Sequence, residues 1–94
     1  MALAQNVRQA LRNGLGNTSA AEELITLINT HASGTLSQRT KGIVRAAFGS
    51  LADAAPFITA VEASSALNAT TLAKLGISIG DRNAASLIAA ELIA

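Results

Sequence analysis

Cysteine, tryptophan and tyrosine are absent from the chain, and the only phenylalanines are Phe48 and Phe57. Without Cys, neither a disulfide framework nor a thiolate metal site can form. That fits a reducing cytosol or a particle assembled within it. No run reaches the ~18 apolar residues that a membrane span needs, so a membrane partner is not expected. The opening residues, from Met1 to Arg8, carry charge early and lack the apolar core of a secretory signal, so none is expected. An excess of one charge is lacking too: seven Lys and Arg face six Asp and Glu, a net +1. That bias is too weak to imply nucleic acid or an anionic membrane surface.

Catalytic constellations are also missing. His31 is the single His, with no Cys or second His to join it on a metal, and it reads as a solvated loop residue. Of the acids Glu22, Glu23, Asp53, Glu62, Asp81 and Glu91, most fall at expected helix starts or outer faces, where capping and the helix dipole account for them. No pair of carboxylates has the spacing for acid–base work, and no Ser or Thr has a plausible base. The segment Gly14-Leu-Gly16 lacks the preceding strand and the Gly-Lys-Ser/Thr of a phosphate loop. The expectation is a protein that is not an enzyme and holds no cofactor, metal or small-molecule substrate.

What the chain does contain is a repeat. Leu15-Gly16-Asn17, Phe48-Gly49-Ser50 and Ile79-Gly80-Asp81 share one pattern, and shifts of 33 and then 31 residues superpose them. After each Gly comes a stripe with i, i+3, i+4, i+7 spacing: Ala21, Leu24, Ile25, Ile28; then Ala54, Phe57, Ile58, Val61; then Ala85, Ile88, Ala89, Leu92. Before each Gly a stripe of period four recurs: Leu3, Val7, Leu11, Leu15; then Leu36, Thr40, Val44, Phe48; then Leu67, Thr71, Leu75, Ile79. Both spacings describe one face of an α-helix. Half the residues are hydrophobic and Ala is the commonest, which favours short, closely packed helices. The fold class is therefore all-α: one domain over 1–94, made of three tandem helix-turn-helix repeats of about 31 to 33 residues (1–31, 32–63 and 64–94).

Each Gly is expected just past the end of a first helix, in the left-handed conformation. Second helices are expected to start at Ser19 (with Glu22 completing a capping box), at Asp53, which would put Pro56 at the third helical position, and at Asn83. First helices are expected to start at Thr35 or Ser37 in the second unit and at Asn68 in the third. Residues 29–34 and 62–65 are expected as the loops between units. In the third unit, Gly76 and the alternation of Ile77 and Ile79 predict a first helix ending near Leu75. The last helix is apolar almost to Ala94, without the polar outer face that usually ends a helical stack. Two readings stay open: a closed bundle that buries this end, or an open solenoid whose end docks on a partner.

The candidate contact residues follow from the same alignment. Arg8 and Arg12 lie one turn apart in the first unit, and Lys41 and Arg45 are their equivalents. Side-by-side units would gather the four into one basic surface for an acidic neighbour. The apolar faces around Ile25 and Ile28, and around Leu87, Ile88 and Leu92, would pack between subunits. A DNA-reading role is disfavoured, because the helix after each turn opens Ser-Ala-Ala-Glu-Glu, Asp-Ala-Ala-Pro or Asn-Ala-Ala-Ser rather than with Arg, Lys or Gln.

The period is close to that of tetratricopeptide and ankyrin arrays, but the Trp-Leu-Gly-Tyr and Thr-Pro-Leu-His patterns are missing. The segments Thr35-Leu-Ser-Gln-Arg-Thr-Lys-Gly-Ile-Val-Arg-Ala-Ala-Phe-Gly49 and Gly16-Asn-Thr-Ser-Ala-Ala-Glu-Glu-Leu-Ile25 resemble the Ala-rich helical hairpins of small virion proteins of tailed bacteriophages, of the capsid-decoration and head-fibre type. The resemblance covers nearly the whole chain, three times. It implies a structural role on a virion assembled in the host cytoplasm, with the chain itself or a capsid protein as partner. It transfers no ligand residue, since the shared positions are core and turn positions. An adaptor that binds another protein through one face is the alternative.

Overall fold

The computed structural model describes residues 2–94. Over these residues the chain is all-helical: α1 (Gln5–Leu15), α2 (Thr18–Thr30), α3 (Gln38–Phe48), α4 (Leu51–Ala63), α5 (Ala69–Ile79) and α6 (Arg82–Leu92), paired as three hairpins. Gly16, Gly49 and Gly80 end the first helix of each hairpin with φ of 67°, 84° and 67°. A side chain at such a φ would crowd the backbone, so glycine is favoured there.

The caps differ from the sequence expectation in a regular way. The residue directly after each Gly caps the second helix: Asn17 accepts from the N–H of Ala20, Ser50 from that of Asp53 and Asp81 from that of Ala84. Ser19, Asp53 and Asn83 are not the caps. The turns are tighter than expected because the αL glycine delivers the chain straight into an extended capping residue, with φ near −152° to −158°. As a consequence Pro56 is the sixth residue of α4 rather than the third. Pro56 and Ala52, whose carbonyl loses a partner to the ring, both face solvent, so the helix continues through it. Ser37 and Asn68 cap α3 and α5 as expected, while the equivalent position before α1 is Ala4, which has no capping side chain.

Other boundaries also move. Asn29 and Glu62 belong to the last turns of α2 and α4. The helices end one residue before His31 and Ser64, equivalent positions that both adopt the left-handed conformation, at φ 58° and 51°. The helix α5 runs to Ile79, not to Leu75. Gly76 does not stop it, because Gly76 is buried where α5 meets Ala85 of α6, and Ile77 and Ile79 sit on its outer and inner faces.

The hairpins close on themselves. The helix α2 packs on α3, α4 on α5 and, completing the circuit, α6 on α1; α1, α3 and α5 also touch one another. The extents of 29 × 26 × 24 Å are nearly equal, as a closed bundle requires and a solenoid would not show. Both sequence stripes face inward. Val7, Leu11, Leu24, Ile28, Val44, Phe57, Val61, Leu75 and Ile88 are buried in one core, and Phe48 stacks on Phe57 with centroids 5.3 Å apart. Removing such side chains from water is the main driving force for a fold this small.

Candidate partner-binding surface

The pseudo-threefold arrangement allows each polar position to be compared with its two equivalents. Near the end of α2, Asn29 Oδ1 accepts the backbone N–H of Leu3 at 2.9 Å. At the equivalent place in the second hairpin, Glu62 Oε2 accepts the N–H of Leu36 at 2.9 Å and pairs with Lys41 Nζ at 3.3 Å. Each tie fastens the extended lead-in of a hairpin to its own second helix. The third hairpin has Ile93 at this position, and Ile93 is 65% exposed.

The junctions between hairpins diverge in the same way. At α2·α3, Glu23 receives the backbone N–H and hydroxyl of Ser37 and the hydroxyl of Thr40. The Ser37 backbone N–H holds the Glu23 carboxyl below its ordinary pKa; burial opposes this, while the Thr40 and Ser37 hydroxyls and the charge of Arg39 reinforce it. The equivalents of Glu23 are Pro56 at α4·α5 and Leu87 at α6·α1; those of Ser37 are Asn68 and Ala4. The α4·α5 junction carries instead an ion pair between Asp53 and Lys74 at 3.6 Å. The junction that closes the ring has an apolar lip. A groove of about 430 Å³ runs there between Leu3, Ala4 and Val7 on one side and Leu87, Ala90 and Ala94 on the other. Beneath it, His31 Nε2 meets the carboxylate of Glu91, which is largely buried, and so links the first hairpin to the third. His31 is therefore a strut and not a solvated loop residue, and Glu91 is not on an outer face. The sequence distance of 60 residues hid the pair.

The residues singled out from the sequence separate into two groups. Leu87 is 42% exposed and stands at the groove. Leu92, at 2%, belongs to the chain's own core, as do Ile25, Ile28 and Ile88, so these four offer nothing to a second subunit. The closed ring has consumed faces that an open stack would leave bare. The basic positions are likewise mostly committed. Arg8 Nε donates to the carbonyl of Leu3 at 3.1 Å, Arg12 forks onto the Glu22 carboxylate and Lys41 pairs with Glu62. Among the described residues Arg45 has no such contact, and its buried Nε–H finds no partner. The four do not present a common free charge.

Large apolar side chains missed by the sequence reading also stand in solvent. Leu51 is 62% and Ile77 76% exposed. Leu51 directly follows a hairpin turn and Ile77 lies three residues before one; both fall off the repeating stripes, and that offset was the available signal. No helix is long and apolar enough to cross a membrane, and among the described residues no group of three His, Asp or Glu could hold a metal ion. No protein-family model, curated protein or solved structure matches the chain.

Proposed function

We propose that the protein is a non-enzymatic structural component, acting by helix-face packing with copies of itself or with a shell protein, as in the small virion proteins its hairpins resemble. One observation carries the reading: at the ring-closing junction the polar strut found at α2·α3 is replaced by apolar residues, leaving Leu87 exposed beside an apolar groove. An apolar groove with an exposed Leu at its lip is the kind of surface that meets another protein. The polar inventory agrees, since its carboxylates are spent on caps and internal struts and form no cleft for chemistry. The virion assignment itself rests on the sequence resemblance.

The test is the solution mass of the purified chain by light scattering with refractive-index detection, because a chain without Trp or Tyr scarcely absorbs at 280 nm. A defined oligomer or larger assembly is expected, with Leu87→Glu returning it to monomer while preserving its helical circular dichroism. A chain that stays monomeric at all concentrations removes self-packing and favours the adaptor reading, in which a different protein covers the groove.

A further inference from the structure

In the first hairpin a polar plug joins the outer faces of α1 and α2. Arg12 Nε donates to Glu22 Oε1 at 2.8 Å, a terminal nitrogen of Arg12 lies 3.4 Å from Gln9 Oε1, and Gln9 donates to Asn13 Oδ1 at 3.1 Å. The successive shifts of 33 and 31 residues carry Gln9, Arg12, Asn13 and Glu22 onto Ala73, Gly76, Ile77 and Ser86. The plug is thus deleted from the third hairpin, and a groove between α5 and α6 stands in its place. Two adjoining cavities of about 200 and 410 Å³ share Ala73, Gly76 and Arg82; Leu72 and Ser86 line the first and Ile77 the second. Ile77 is 76% exposed at its edge. The stem of Arg82 packs on Gly76, where an added Cβ would lie 3.4 Å from Arg82 Cγ. Arg82 itself is exposed, and among the described residues its guanidinium has no acceptor.

We propose that the α5·α6 groove binds an acidic, amphipathic segment of another protein: an apolar side chain enters over Ala73 and Gly76 beside Ile77, and a neighbouring Asp or Glu pairs with Arg82. Ala73 and Gly76 have no polar side-chain atoms to desolvate, so an apolar group can cover them and Ile77 at little polar cost. The solvent-facing guanidinium can be reached from outside, and its fork matches a carboxylate with two donors. The occupant is not a second copy. Glu22, Glu23, Asp53, Glu62, Asp81 and Glu91 already serve Arg12, Ser37, Lys74, Lys41, the α6 cap and His31, so a copy would have to break one of its own ties to supply the acid. The surface is also separate from the ring-closing groove, since Leu87 stands on the α1 side of α6 and Arg82 and Ser86 on the α5 side. The proposal rests on the reading that the chain works by binding protein, and it adds a second surface with a partner of stated charge.

The probe is the capped dipeptide N-acetyl-Leu-Glu-amide, with N-acetyl-Leu-Gln-amide as its neutral counterpart. Each is titrated into the full chain and followed by NMR at the Ile methyl and Arg Nε–H groups. The Ile77 and Arg82 signals are expected to move saturably, while those of Ile93, exposed just past the far end of α6, stay still. The Gln peptide should bind about two- to fivefold more weakly, the contribution of one exposed ion pair. Ser86→Glu places a carboxylate one turn from Arg82 on the same helix and should erase that preference with helical circular dichroism unchanged; Arg82→Gln should erase it too. Still signals at Ile77 and Arg82 overturn the groove. Equal responses to the two peptides overturn the acidic partner. Octanoate moving the same signals at far lower concentration overturns a protein segment in favour of an amphiphile. A chain that light scattering shows to be oligomeric, yet indifferent to the peptide, loses this groove and keeps self-packing; a monomer that binds the peptide does the reverse.

Discussion

Ala4 stands where Ser37 and Asn68 stand in the other two hairpins, with nearly the same backbone angles, φ −69° and ψ 159° against −65° and 156° for Ser37. The conformation of a cap is in place and the side chain is missing. Ala4→Ser should therefore stabilise the protein by about 1 kcal/mol, read as a rise of ~4 to 8 °C in Tm. A neutral result would mean that the first turn of α1 is frayed. Glu23 is the opposite case, a side chain that serves the adjacent hairpin. Its folded pKa lies below the ordinary value, so it contributes stability above the unfolded pKa of about 4.5 and loses that contribution as pH falls through the folded value. Glu23→Gln should be less stable than the parent at neutral pH, and the two denaturation midpoints should converge in acid. Parallel curves across the whole range would show that the carboxylate charge is irrelevant to the strut.

Helices α1 and α5 approach so closely at Gly14 that a Cβ there would lie 2.6 Å from the Cα of Ile79. Such a contact cannot be relieved by turning a side chain, so Gly14→Ala must push the first hairpin from the third. On α3, Gly42 faces open space. The same substitution at the two sites should therefore have opposite signs: Gly42→Ala stabilises by about 0.5 to 1 kcal/mol through helix propensity, while Gly14→Ala destabilises despite the same gain. Chemical denaturation of both variants reads the difference directly. Equal effects would mean that α1 and α5 are not in tight contact.

The whole molecule is a ring of three hairpins and not a stack, and this changes what truncation does. In an open array, a terminal unit contacts only its neighbour, and its removal costs one interface. Here α1 packs against α5 and α6 as well as α2 and α3, and α5 also packs on α3 and α4. Deleting residues 64–94 should therefore uncover the inward faces of both remaining hairpins and leave a chain without cooperative thermal unfolding by circular dichroism. A cooperatively folding fragment would show that the hairpins are independent units. The full chain should unfold in a single two-state transition, as expected of a domain with one core.

Helix identity, number and inward faces were legible because they are local properties. Period-four stripes at Leu3, Leu36 and Leu67, and the glycines at 16, 49 and 80, follow from helical geometry and from the absence of a Cβ, whatever the helices later touch. Capping was legible in principle, since Asn17, Ser50 and Asp81 follow those glycines directly, but competing polar residues two or three positions onward obscured it. Of the candidate site, Leu87 and Arg45 were visible by type and position. Their significance was not, because it depends on what faces them. Periodicity is the same whether α6 meets solvent or α1. Only closure of the ring put Leu92 inside, left Leu87 at the rim and brought His31 to Glu91. Those outcomes are non-local pairings, decided by which hairpin faces come together when the core is buried, and no local propensity specifies them.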